Sequence, residues 1–285
     1  MAAAIGDAET VVIRTAGDEG GPTAPETSDK SRFVGAIEAA LLAGEVDLAV
    51  HSAKDLPAEL PDGLALLGVP AREDPADVWV GPGTGPEELA KGARVGTASI
   101  RRRSQLLALR GDLDVIAVRG NVDTRLGKLA AGEVDGLVLA AAGLRRLGRD
   151  AEAGFRFALR ALTPAPGQGA LALEGRAGDA AASAAAAALT DPEALVELTA
   201  ERAAVAALGA SCDTPVGVCA RHDDDGLLIR GYAGLPDGSG HVYDEVRGDA
   251  GQPVALAEAL VARMRDAGAA ELLSRAASWE RDGHG

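Results

Sequence analysis

The pentapeptide Ala43-Gly-Glu-Val-Asp recurs as Ala131-Gly-Glu-Val-Asp, with Glu45 and Glu133 standing 88 positions apart. Helix-like spacing leads up to the glycine at both places, and an apolar run follows at once: Leu48-Ala-Val and Leu137-Val-Leu. A glycine just past a helix supplies the left-handed turn that ends it. A short apolar run entered from a polar turn reads as a strand covered on both faces, as in a parallel sheet. A chain that uses this helix–turn–strand unit twice is directed to an α/β fold with two lobes of like topology around a cleft. Its 285 residues leave room for a third unit.

The rest of the pattern extends that reading. Val11-Val-Ile-Arg predicts a strand, and Thr15–Pro22 is a turn-rich loop. Phe33–Leu42 has helical spacing, with Phe33, Ile37, Ala40 and Leu41 on one face. Strands are expected over 46–51, 64–69, 93–96, 113–118 and 134–139, with helices over 101–110 and 124–131. Asp74-Pro-Ala-Asp-Val-Trp-Val leads into a second lobe as a strand, and Thr163-Pro-Ala-Pro-Gly-Gln-Gly returns as a crossing segment before a strand at Leu171–Glu174. Thr190-Asp-Pro-Glu has capping-box form, with Thr190 at the N-cap of a helix through Leu208. Strands over 216–220, 227–233 and 241–246 and a helix over 253–267 form a smaller α+β unit. Three domains are expected: 1–72 with 168–188, 73–167, and 189–285.

Charge narrows the partners. Lys and Arg number 28 against 43 Asp and Glu, a net −15, which excludes nucleic acid and anionic membrane as general partners. Aromatics at 2% argue against a base-stacking platform. Two cysteines cannot staple a scaffold, no secretory pattern opens the chain, and no apolar run reaches membrane length, so a cytoplasmic protein is expected. No metal-ligand spacing occurs.

Against that acidic background, Arg101–Lys128 holds seven basic and three acidic residues. Gly96-Thr-Ala-Ser-Ile-Arg-Arg-Arg-Ser is a strand end turning into a helix, with Ser99 at its N-cap. There the free N–H groups favour an anion and the Arg101 and Arg102 forks match carboxylate or phosphate. Arg119 follows the next strand and Arg125 lies on the next helix, while Arg103 and Arg110 read as solvated. His51-Ser-Ala-Lys-Asp-Leu-Pro emerges from a buried strand; Asp55 beside Lys54 can stabilise a developing positive charge or shuttle a proton, though a Lys-Asp pair in a turn is commonly surface chemistry. His51 itself reads as a core residue. Cys212, in a loop after the long helix, is a candidate covalent site, whereas Cys219 lies in a strand-like run.

These segments together closely resemble the porphobilinogen deaminase (hydroxymethylbilane synthase) family. The matches are Glu45–Pro57, Gly96-Thr-Ala-Ser-Ile-Arg-Arg, Val118-Arg-Gly-Asn-Val-Asp-Thr-Arg-Leu, Leu139-Ala-Ala-Ala-Gly-Leu-Arg-Arg-Leu-Gly, Pro164-Ala-Pro-Gly-Gln-Gly-Ala, and Glu201-Arg-Ala with the Cys212 loop. The resemblance implies a cytoplasmic, monomeric transferase of tetrapyrrole (haem) synthesis, with three α/β domains, the first two like periplasmic-binding-protein lobes. It would join four porphobilinogen molecules head to tail, with loss of ammonia, onto a dipyrromethane cofactor held by a thioether to Cys212. Asp55 matches the catalytic carboxylate. Lys54, Ser99, Arg101, Arg102, Arg119 and Lys30 match cofactor-binding positions, and Arg125, Gln168 and Thr97 substrate-binding ones. Asp29-Lys-Ser-Arg-Phe replaces the family's Gly-Lys-Gly-Leu-Phe, and Ala210-Ser211 its glycines before the cysteine. The family's opening strand with Arg-Gly-Ser and its long helix, about thirty residues, have no counterpart before Val12. That departure implies either an upstream start or an impaired protein. The alternative is a non-catalytic paralogue that binds pyrrole carboxylates without turnover.

Overall fold

Three sheets organise the chain in a computed structural model that describes residues 5–6, 8–13, 29–210 and 214–281. The first begins after helix α1 (Asp29–Ala43), with strand β1 (Leu48–Ser52) and a single 3₁₀ turn, Ala53–Asp55. β2 (Leu64–Gly68) completes the outward half. The chain then crosses to the second sheet: β3 (Asp77–Val80), β4 (Arg94–Gly96), α2 (Ile100–Leu109), β5 (Asp114–Ile116), α3 (Val122–Ala130), β6 (Gly136–Ala140), α4 (Ala141–Arg146) and β7 (Phe155–Arg156). It returns through 157–170 to β8 (Leu171–Arg176), which lies between β1 and β2, and to α5 (Ala180–Leu189). The third unit is α6 (Pro192–Leu208), the meander β9 (Val216–Asp223), β10 (Gly226–Gly234) and β11 (His241–Gly248), and helices α7 (Pro253–Asp266) and α8 (Ala269–Arg281).

The repeated pentapeptide folds the same way twice. Gly44 and Gly132 both sit at φ +73°. The Gly44 N–H donates to Leu41 and the Glu45 N–H to Ala40; the Gly132 N–H donates to Leu129 and the Glu133 N–H to Lys128. These paired bonds close the last carbonyls of each helix, and only glycine takes that backbone conformation without strain. The strands that follow differ in direction. β1 is antiparallel to β8, whereas β6 is parallel to β4, which is parallel to β5, and antiparallel to β3. The expected parallel sheet is therefore found only in part of the second sheet. An apolar run covered on both faces has the same composition whichever way its neighbour points, so strand direction leaves no mark on it.

Other local expectations shift for readable reasons. Residues 11–13 form no strand, and Arg14 lies outside the described residues. α1 begins at Asp29 rather than Phe33. The long helix is capped by Asp191, whose carboxylate accepts the Ala194 N–H at 2.8 Å, and Pro192 takes the first helical position. Thr190 instead ends α5: its hydroxyl donates to the Ala186 carbonyl at 2.9 Å and accepts the Val69 N–H at 3.2 Å. Either residue fits a capping pattern, and the extra helix α5 decides between them.

Small residues and leucines fill the cores. In the second sheet Trp79 is fully buried and donates from Nε1 to the Pro82 carbonyl at 2.9 Å. Gly136 on the neighbouring strand makes this possible, since a Cβ there would lie 2.0 Å from the indole ring. Ala200, Ala204, Val218, Ile229, Leu260 and Met264 join α6 and α7 to the third sheet. No described helix is long and apolar enough to cross a membrane.

Candidate functional site

The site is assembled around the return crossing, residues 163–169. Gly167 (φ +73°) lies so close to the first sheet's 3₁₀ turn that a Cβ would stand 2.7 Å from the Ala53 carbonyl carbon and 2.8 Å from the Lys54 amide nitrogen. The Ala53 N–H also donates to the Ala170 carbonyl at 3.0 Å. Lys54 and Asp55, both half-buried, are thus seated by the crossing at the end of β1. The next residue faces the second sheet. Gln168, almost fully buried, donates from Nε2 to Asp77 Oδ1 at 2.8 Å and to the Pro75 carbonyl at 2.6 Å.

Asp77, the first residue of β3 and fully buried, gathers the arginine pair. Arg101 Nη1 donates to Asp77 Oδ2 at 2.8 Å and to the Thr163 carbonyl at 2.6 Å. Arg102 donates to Asp77 Oδ1 from Nε at 3.0 Å and Nη2 at 2.7 Å, and from Nη1 to the Val138 carbonyl at 3.0 Å. Burial alone would raise the Asp77 carboxyl, but the two guanidiniums hold it well below the ordinary carboxylate range. For Arg101 burial prevails and its pKa falls, with Arg102 adding to the fall and Asp77 opposing it. Arg125, on α3, is lowered by burial and then by the nearby Arg102 charge; its Nε–H donates to the Gly120 carbonyl at 2.7 Å. Two guanidiniums therefore share one carboxylate with a third charge, Arg125, near Arg102, and the buried Arg101 Nε–H meets no acceptor among the described residues. Such an excess of buried positive charge calls for an anion.

The β4–α2 turn presents this pair. Ser99 caps α2, its Oγ accepting the Arg102 N–H at 3.4 Å, and Thr97 Oγ1 accepts the Ser99 N–H at 3.1 Å. Arg119 is exposed just beyond β5. Arg103 and Arg110, expected in solvent, are half-buried: Arg103 donates to the Val115 carbonyl at 2.6 Å, and Arg110 pairs with Asp112 at 2.7 Å. Lys30 lies in the first turn of α1, with its side chain outside the described residues, as is Cys212. His51 is a core residue, buried with Nε2 at 2.9 Å from Glu174. Cys219 is buried in β9, its thiol pushed up to about 12 by burial and by Glu201. No metal-holding cluster occurs among the described residues.

Two groups central to the geometry have no motif in the sequence. One is Asp77, detectable only as an acid opening the apolar run Val-Trp-Val. The other joins the crossings to the third sheet: Arg72 donates to Glu201 Oε1 at 2.8 Å, Glu197 Oε2 at 3.3 Å and the Gln168 carbonyl at 3.0 Å. Glu201 also accepts the N–H groups of Gly167 at 2.6 Å and Ala220 at 2.8 Å.

Known proteins match this chain over most of its length. Residues 2–184 match the family model "Porphobilinogen deaminase, dipyromethane cofactor binding domain", and residues 195–266 match "Porphobilinogen deaminase, C-terminal domain". A porphobilinogen deaminase of Roseiflexus sp. strain RS-1 is 48% identical over 86% of this chain and 81% of its own. One from Thermus thermophilus is 44% identical over 92% and 87%, and porphobilinogen deaminase 1 of Streptomyces avermitilis 45% over 93% and 88%. Among solved structures, a TRAP periplasmic solute-binding protein from Ralstonia eutropha H16 has a TM-score of 0.35 at 16% identity, covering 62% of this chain and 65% of its own. The Bordetella pertussis BvgS VFT2 domain has a TM-score of 0.33 at 21% identity, covering 55% and 66%. Those two likenesses are slight.

Proposed function

The chain belongs to the porphobilinogen deaminase family, and we propose that its arginine cluster holds pyrrole carboxylates while Asp55 serves the condensation. The observation that carries this reading is the Arg101–Asp77–Arg102 cluster beside Arg125, whose buried charge excess and unaccepted Arg101 N–H suit an acidic ligand. A dipyrromethane with acetate and propionate arms fits that donor set. It would supply the free pyrrole carbon to which the first incoming methylene is joined, each later one joining the ring added before it.

Arg101, Arg102, Arg119, Lys54, Ser99 and Lys30 would hold the cofactor, with Cys212 as its covalent anchor. Arg125, Gln168 and Thr97 would face the incoming porphobilinogen. As the aminomethyl C–N bond of that substrate breaks, the nitrogen leaves as ammonia and positive charge develops on the substrate pyrrole. The Asp55 carboxylate, seated by Gly167, stabilises that charge and takes up the pyrrole proton released when the new C–C bond forms. The domains would be 1–72 with 168–188, 73–167 and 189–285, one per sheet, acting as a monomer in the cytoplasm.

Intact mass and Ehrlich's reagent on the purified protein test the reading. An added dipyrrole mass that vanishes in Cys212→Ser, with porphobilinogen consumed by the parent protein, is the expected result. An unmodified protein that leaves porphobilinogen untouched would overturn it.

A further inference from the structure

Helix α2, which carries the arginine pair, is also gripped from the third sheet. Ser104 lies one turn beyond Arg101 and is fully buried. Its hydroxyl donates to the Leu235 carbonyl at 2.7 Å and lies 2.8 Å from the Tyr232 hydroxyl. A serine has one O–H, so Tyr232 is the donor of the second bond. Burial pushes the Tyr232 hydroxyl up to about 12, which keeps that donor protonated through neutral and mildly alkaline pH. Tyr232 is itself buried, with its ring stacked on His241 at 5.5 Å between centroids.

The hairpin between β10 and β11 is shaped to this contact. A Cβ on Gly234 would lie 2.4 Å from the Tyr232 hydroxyl oxygen and 2.6 Å from Ser104 Oγ. One on Gly238, at φ +73°, would lie 2.4 Å from the Ala108 amide nitrogen. Two glycines therefore admit the α2 backbone and its serine against the third sheet. Gln105, the next residue, binds Thr163 of the crossing segment, accepting its N–H at 2.6 Å and donating to its carbonyl at 3.0 Å. Consecutive residues of α2 thus hold it to two different parts of the molecule, one turn from the guanidiniums.

We propose that Tyr232, acting through Ser104, is a positioning residue that fixes the rotation of α2 and so the direction in which Arg101 and Arg102 offer their N–H groups to carboxylates. The inference rests on the proposed role of those arginines. It places the carboxylate-binding pair in register with the unit that bears Cys212, not only with its own sheet.

Tyr232→Phe and Ser104→Ala test it, with Tyr243→Phe as the control because that hydroxyl, on the residue opposite Tyr232, donates to Glu245 and not to Ser104. Three readouts are taken: amide exchange of residues 100–109, the thermal shift produced by citrate as a plain polycarboxylate probe, and KM and kcat with porphobilinogen. Expected for Tyr232→Phe are faster exchange in α2, a citrate shift cut by about half, and KM raised about three- to tenfold with kcat within about twofold, the scale of one buried hydrogen bond. Ser104→Ala should do the same, and the double variant should add little. Faster exchange with the citrate shift and KM unchanged would reduce the clasp to a structural contact and overturn the proposal, as would unchanged exchange. If the parent protein ignores porphobilinogen while the citrate shift still falls in Tyr232→Phe, the substrate reading fails and the positioning role stands.

Discussion

Asp55 and Asp77 are two carboxylates with opposite assignments. Asp55 sits half-buried at the end of β1, where a charge can act on a ligand. Replacing it with Asn keeps the shape and removes the charge, so turnover should fall by about 10²-fold or more while the dipyrrole mass on the protein persists. Near-normal turnover in Asp55→Asn would remove it from the chemistry. Asp77 is fully buried and bound to Arg101, Arg102 and Gln168. Asp77→Asn leaves two buried guanidiniums without their counter-charge, a loss of about 3–5 kcal/mol near neutral pH. The sign of its pH dependence follows from the lowered folded pKa: the contribution is complete above the unfolded carboxylate pKa and declines as pH falls below it. Denaturant titrations at neutral and acid pH check this, and a deficit that grows on acidification would contradict it.

The elements show which parts of a sequence carry their own geometry. The two Gly-Glu-Val-Asp turns are local devices, so both were readable: each glycine ends a helix at the same φ with the same pair of bonds. Gly44→Ala and Gly132→Ala should each cost about 1–2 kcal/mol through the left-handed backbone alone, because no atom crowds either position. Gly136→Ala is a different case, since its Cβ would strike Trp79 at 2.0 Å; it should lower the melting temperature far more than the other two. Equal losses at all three would mean that the Trp79 contact is not tight. The arginine turn was likewise legible, with Ser99 capping α2 as its position suggests. The direction of β1 and the choice of Asp191 over Thr190 were not, since each depends on a neighbour distant in sequence: β8 pairs with β1, and Val69 donates to Thr190.

At the scale of the whole molecule, the unforeseen part of the site is long-range pairing. Arg72 is one arginine in an unremarkable Pro-Ala-Arg-Glu-Asp stretch, yet it joins the first crossing to Gln168 of the second and to Glu197 and Glu201 of α6. Those partners lie 96 to 129 residues away, a separation at which periodicity and local motifs say nothing. The charge of Arg72 is strengthened by Glu201 and Glu197 against the cost of its burial. Burial pushes the Glu201 carboxyl upward, and Arg72 is the cation that opposes it. Arg72→Leu removes that opposition and leaves a buried carboxylate, so the fold should lose about 3–5 kcal/mol at about pH 8. Burial already holds the folded pKa of Glu201 above its unfolded value, and without Arg72 it rises further. The folded variant then binds the extra proton, and its stability recovers as pH falls toward that pKa. The deficit against the parent protein should therefore narrow between about pH 8 and about pH 5.5 in denaturant titrations. A deficit constant across that range would place the loss in packing and not in the stranded charge. The same variant should weaken the seat of Asp55, because Glu201 also holds the Gly167 N–H and Gly167 abuts Lys54. This one arginine thereby links stability and turnover, and both should recover together as the carboxylate is protonated.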